Sequence, residues 1–158
     1  YVQNWEKVRK ENIGLLFWGD VGTGKTYLAS CIANALMEQE VSVKMVNFSY
    51  ILNVGFEYRN ELIHSLWHFG TERGTDYGLE TVHSVLDARY NSGKPMIITT
   101  NLSLQQMKNP EDEMHKKIYD RTKNCVPVQF GGESRRHAAG KDKMEQFKKM
   151  LLEAEETI

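Results

Sequence analysis

The apolar run at residues 13–18 passes directly into Gly19-Asp20-Val21-Gly22-Thr23-Gly24-Lys25-Thr26. That octet matches the pattern G-x-x-x-x-G-K-[ST]. Its glycines let the main chain curl so that successive N–H groups point at one anion. A helix opening near Lys25 adds the unpaired N–H groups of its first turn and the positive end of its dipole. In such a turn Lys25 reaches the β- and γ-phosphates of a nucleoside triphosphate, and the Thr26 hydroxyl offers an oxygen to Mg2+. The flanks agree with the motif. A continuous apolar run suits a strand buried on both faces. Residues 25–39 carry Leu28, Ile32, Ala35 and Leu36 at helical spacing. The residues expected to hold ATP with Mg2+ are Gly19, Asp20, Val21, Gly22, Thr23, Gly24, Lys25, Thr26 and Tyr27, with Thr26 as the metal ligand.

Helix and strand patterns alternate through the rest of the chain. This argues for an α/β fold in which helices flank both faces of a parallel sheet. Helices are expected at 1–11, 25–39, 61–69, 74–93, 109–123 and 142–156, and strands at 13–18, 42–48, 96–100 and 126–130. The start Asn109-Pro110-Glu111-Asp112-Glu113 combines a cap residue, a first-turn proline and acids facing the dipole. The last helix carries Met144, Phe147, Leu151 and Ala154 on one face, fit to pack on its own domain or on a partner.

The 158 residues suffice for one domain with a real core. With 26% charged and 41% hydrophobic residues, the composition excludes a disordered tail. No apolar stretch approaches bilayer length, so no membrane association is expected. Lys plus Arg number 20 against 21 acids, so no bulk positive field drives nucleic-acid binding. Local basic spots remain at Lys116-Lys117, Arg135-Arg136, Lys141 and Lys143. Cys31 and Cys125 are expected to be buried free thiols of a cytoplasmic protein. The histidines show no metal-ligand spacing. A start at Tyr1 rather than Met reads as a piece of a longer protein.

Three further positions complete a nucleotide-hydrolysing site on this reading. Asn101 follows the run at 96–100, at the carboxyl end of a strand, where open α/β sheets bind ligands. Its carboxamide suits the attacking water and the γ-phosphate. Met114, Ile118 and Arg121 share one helix face at 3.6 residues per turn. An arginine in that stripe needs a partner or an interface, which makes Arg121 a candidate finger on a neighbouring subunit's nucleotide. Of Arg135 and Arg136, one is placed to touch the γ-phosphate of its own subunit.

Taken together, these residues resemble the AAA+ ATPases of the DnaC/DnaI-like replicative helicase loaders, and the related IstB-like transposition ATPases. The carriers are Tyr1-Val-x-Asn-Trp5, the octet at 19–26, Gly70-Thr-Glu-Arg73, Ser92-Gly-Lys-Pro95, Ile97-Ile-Thr-Thr-Asn101, Ile118-Tyr-Asp-Arg121 and Gly132-Glu-Ser-Arg-Arg136. They span nearly the whole chain. The resemblance implies Asn101 as sensor 1, Arg121 as the arginine finger and Arg136 as sensor 2. It implies a single AAA+ core over 1–158 without the family's amino-terminal helicase-docking portion. The partners it implies are a replicative helicase, single-stranded DNA held modestly and in a salt-sensitive way, and further copies of the chain joined through Arg121.

One departure stands out. The family carries a strand of the type Asp-Leu-Leu-Ile-Ile-Asp-Asp-Leu, the Walker B element, just before Gly-x-Glu-Arg. Here Phe69 runs straight into Gly70. In the family's sheet that strand separates the ones expected here at 42–48 and 96–100, so its loss would orphan the former. Residues are therefore expected to be absent between 69 and 70; a continuous trans peptide there requires Cα atoms about 3.8 Å apart. A truly continuous junction would severely impair hydrolysis. Three other functions share parts of the pattern: an IstB-like transposition helper, a nucleotide-dependent binding module without turnover, and a small-molecule kinase. The kinase lacks an arginine-rich lid.

Overall fold

A computed structural model describes residues 1–45, 76–110 and 113–155. A 3-10 turn at Val2–Asn4 leads into α1 (Trp5–Lys10), followed by β1 (Gly14–Gly19) and α2 (Lys25–Met37). Then come α3 (Asp76–Asn91), β2 (Ile97–Thr100), α4 (Leu104–Lys108), α5 (Glu113–Arg121), β3 (Cys125–Phe130) and α6 (Arg135–Glu155). Among the described residues the sheet has the order β2-β1-β3, with both pairings parallel.

β1 is central, and its alternation feeds two cores. Leu16 faces one side with Ile98, where Val82, Val85 and Leu86 of α3 pack and Met107 and Ile118 close the layer. Phe17 faces the other with Ile97, Trp5 and Val8 of α1, and Ala29 and Leu36 of α2. Helices therefore cover both faces, as the alternation of patterns predicts. Completely enclosing a side chain the size of Phe17 or Leu36 contributes about 2 kcal/mol by burial alone. β3 is an outer strand among the described residues and contains Pro127 opposite Leu16. A proline without N–H is tolerated where one edge makes no ladder bonds.

Several expectations need correction. The buried stripe of α2 is Lys25, Ala29, Ala33 and Leu36, while Leu28 is exposed. Lys25 must turn inward beneath the loop, and that fixes the helix phase: residues near i+4, i+8 and i+11 follow it into the core. Cys31 falls off this stripe and is exposed, so only Cys125 is a buried thiol. Residues 42–45 of the expected strand at 42–48 form no ladder, and Val43 instead packs against the α1/α2 core. The rest of that strand, the helix at 61–69 and the 69/70 junction lie outside the described residues. Helix α4 is unanticipated, although Ser103 and Gln106 spell its capping box: Ser103 Oγ accepts from the Gln106 N–H, and the Gln106 side chain accepts from the Ser103 N–H. Asn109 caps the end of α4, and the next helix begins its described course at Glu113; residues 111 and 112 of the expected start lie outside the described residues. α6 starts at Arg135, ahead of the expected 142, because Gly140 weakens a helix by only about 1 kcal/mol and does not stop it.

Candidate functional site

The register brings three segments to one end of the sheet. Trp18 pairs with Thr100, so Asn101 follows at the level where Gly19 opens the loop. Gly19 itself pairs with Phe130, which sets residues 131–136 on the loop's other flank. Asn101 is exposed at this rim.

The loop at 19–26 has the shape its sequence demands. Gly24 caps α2 in the left-handed region at φ 97°, which any side chain would strain. Gly22 has φ 83°, and a Cβ there would meet Ser134 Oγ at 2.1 Å. The segment after β3 is bonded to the loop directly: the Arg135 N–H donates to the Gly22 carbonyl at 3.0 Å. The Arg135 guanidinium lies 3.6 to 3.7 Å from the position a Gly24 Cβ would take. Both Arg135 and Arg136 are exposed, and it is Arg135 that reaches the loop. Ser134 belongs to the Gly132-Glu-Ser-Arg-Arg136 segment, but its fit over Gly22, 112 positions away, carries no pattern in the sequence.

Lys25 is buried, and its Nζ donates to the Gly19 carbonyl at 2.7 Å and the Asp20 carbonyl at 2.6 Å. Burial pulls its ammonium below the ordinary lysine range, and the Asp20 carboxylate opposes that shift. Thr23 is buried, and its hydroxyl donates to the Asp20 carbonyl at 2.7 Å, so its side chain shapes the loop. Thr26, Val21 and Tyr27 face outward. The loop therefore presents the first-turn amides of α2, an ammonium bound among the described residues to two carbonyls, and the exposed Thr26. These donors fit a triphosphate, and the Thr26 oxygen fits one position on Mg2+. Among the described residues no group of three or more His, Cys, Asp or Glu side chains is placed to hold a metal by itself.

Arg121 lies elsewhere. It ends α5 just before Cys125, which pairs with Gly14 at the opposite end of the sheet from the loop. Its Nε donates to Asp87 Oδ1 of α3 at 2.6 Å and its Nη1 to Asp120 Oδ2 at 2.8 Å. The guanidinium carbon sits 5.4 Å from the Tyr90 ring centroid. The partner that an arginine in an apolar stripe requires is thus on α3. Nothing in the sequence signals Asp87, because helix periodicity does not pair residues 34 positions apart.

Cys125 and Cys31 differ chemically. Burial pushes the Cys125 thiol up to about 12, whereas Cys31 is exposed on α2. In native protein at pH 8, a maleimide should label Cys31 alone, with Cys125 reacting at least about 100-fold more slowly until denaturant is added. Equal labelling of both would show that the β3–β1 interface opens readily.

Two proteins of Bacillus subtilis (strain 168) match most of this chain. The phage-like element PBSX protein XkdC is 29% identical over 143 residues, covering 76% of this chain and 52% of that protein. The uncharacterized protein YqaM is 24% identical over 149 residues, covering 81% and 47%. The chain thus spans about half the length of the curated relatives it matches. No family model matches. Among solved structures, the DnaC helicase loader superposes with a TM-score of 0.63 at 23% identity, covering 78% of this chain and 81% of that one. DnaI gives 0.66 at 21% identity, over 85% and 81%. AMPPCP-bound DnaA from Aquifex aeolicus gives 0.64 at 16% identity, over 92% and 49%. This chain shares the fold of these structures, a parallel sheet with helices on both faces. The α/β expectation and the architecture implied by the resemblance are both met. No helix among the described residues is long and apolar enough to cross a membrane.

Proposed function

We propose that this chain is the ATP-binding core of a DNA replication protein that places a replicative helicase on single-stranded DNA. The observation that carries the nucleotide part is Lys25. It is a buried lysine whose ammonium is bound, among the described residues, to the Gly19 and Asp20 carbonyls, at the start of a helix that a left-handed glycine caps. ATP replaces those carbonyls with β- and γ-phosphate oxygens, Thr26 holds Mg2+, and Tyr27 and Val21 border the nucleotide. Mg2+ supplies charge neutralisation across the phosphates when bound. Asn101 orients the attacking water from the adjacent strand end. Arg135 or Arg136 approaches the γ-phosphate from the same subunit, and Arg121 acts on the site of a neighbour. Turnover is slow in a lone subunit, because that arginine must come from a second copy.

The helicase part is supported by the shared fold with a helicase loader and with DnaI. Contact with DNA draws on the exposed cations Lys117, Arg135, Arg136, Lys141 and Lys143. Lys116 contributes less, since its Nζ is bound to Glu113 at 2.6 Å. With so few phosphate contacts, binding is modest and falls about tenfold or more between 50 and 200 mM salt. The test is ATP turnover with and without single-stranded DNA, together with retention of a purified replicative helicase or a purified transposase on the immobilised full-length protein. ATP-dependent retention of the helicase is the expected result. Retention of the transposase alone would replace this reading with that of a transposition helper. Tight DNA binding that ignores salt would contradict the proposed contact.

A further inference from the structure

Arg121 does not stand free. Asp87 Oδ1 accepts from its Nε at 2.6 Å, and Asp87 is itself fixed because Asn91 Nδ2 donates to its other oxygen at 3.1 Å. Asp120 accepts from Nη1 at 2.8 Å and also from the Lys123 ammonium. Two cations and two carboxylates therefore cancel at this corner. Nη2 has no partner among the described residues, and the Arg121 side chain remains 31% exposed. A phosphate that approaches this guanidinium also approaches the Asp87 and Asp120 carboxylates bound to it at 2.6 and 2.8 Å. Nη2 alone offers a phosphate a single bond; a bidentate contact also needs Nε or Nη1, which the carboxylates now hold.

We propose that Asp87 is a latch on Arg121: it occupies the guanidinium in the free subunit and gives it up only to the γ-phosphate of a nucleoside triphosphate held by a second copy of this chain. The inference rests on the reading of Arg121 as a trans-acting arginine. The contact is about one-third exposed and therefore shallow, since solvent-exposed ion pairs are weak. Such a latch suits a device that must open on assembly rather than block it. A diphosphate brings no terminal phosphate to that position, so the latch also makes assembly depend on which nucleotide is bound. Asp87 here is a positioning residue, acting through Arg121.

The test compares self-association of the full-length protein with AMPPCP and Mg2+, and with ADP, by sedimentation velocity. Asp87→Asn keeps an oxygen for the Arg121 Nε–H but removes the charge. It should shift the AMPPCP-dependent association midpoint to roughly threefold lower protein concentration, in keeping with the small strength of exposed pairs. Asp120→Asn should move it in the same direction, and serves if the first variant folds poorly. Arg121→Ala should abolish the AMPPCP dependence. If both asparagine variants associate as the parent does, or more weakly, while Arg121→Ala is defective, the latch is wrong and the finger stands. If Arg121→Ala associates like the parent, the finger reading falls and takes the latch with it.

Discussion

Lys25→Ala is expected to weaken ATP binding by at least about 100-fold, since each hydrogen bond from a charged donor contributes about 1.5–3 kcal/mol and two phosphate oxygens lose theirs. The geometry explains why so much depends on one side chain. The Lys25 stem lies in the buried stripe of α2, and the ammonium reaches back over the loop to two carbonyls at 2.6 and 2.7 Å. On the proposed reading those carbonyls hold the charge near where the phosphates would arrive, so the side chain needs little reorganisation on binding. Alanine also removes packing. Lys25→Met is therefore the sharper variant: it keeps an apolar stem and deletes only the charge and the donors. Calorimetric titration with ATP, read beside thermal unfolding, separates the two effects. Both variants should lose binding, and methionine should unfold closer to the parent. Parent-like affinity in Lys25→Met would remove the loop from the binding site.

The parts of this site that were legible in the sequence are those built from neighbours along the chain. The loop needs an apolar strand, glycines at fixed offsets and a helix, all within residues 13–37, and local chemistry dictates each. The capping box of α4 is equally local, but the sequence reading expects no helix there: five residues are too few to show a helical period. The phase of α2 does not follow from its apolar residues, which include the exposed Leu28; the inward turn of Lys25 goes with the buried face of Ala29, Ala33 and Leu36. Cys31 is exposed for the same reason. The pairs that join distant segments had no sequence signal: Ser134 over Gly22, the Arg135 N–H on the Gly22 carbonyl, and Asp87 on Arg121. Each depends on strand register or helix packing, which the sheet order fixes and a linear pattern does not. The expected strand at 42–48 illustrates the converse. Its described part has the right side chains but no ladder partner, and side-chain pattern alone does not make a strand without a neighbour.

Mixing two inactive variants tests the arrangement of the whole site. β1 carries the chain from Gly14, beside Cys125, to Gly19, beside Phe130. At about 3.3 Å per residue, the strand separates its two ends by roughly 16 Å, more than an arginine side chain spans. Arg121 ends the helix before Cys125, so it cannot serve the loop of its own subunit. If it serves a neighbour's, Arg121→Ala should lower turnover by about 10³-fold, the lower range for an arginine finger, while leaving ATP binding nearly unchanged. Lys25→Met should be inactive for the opposite reason, having lost the nucleotide. An equimolar mixture should regain activity, because a Lys25→Met subunit donates Arg121 to an intact loop on an Arg121→Ala subunit. Random pairing makes about one interface in four competent, so recovery should approach a quarter of the parent rate per subunit if interfaces act independently. The readout is phosphate release at protein concentrations where the parent assembles. A mixture as inactive as its components would place Arg121 outside the neighbour's site and leave its bonds to Asp87 and Asp120 as a purely structural tie between α3 and α5.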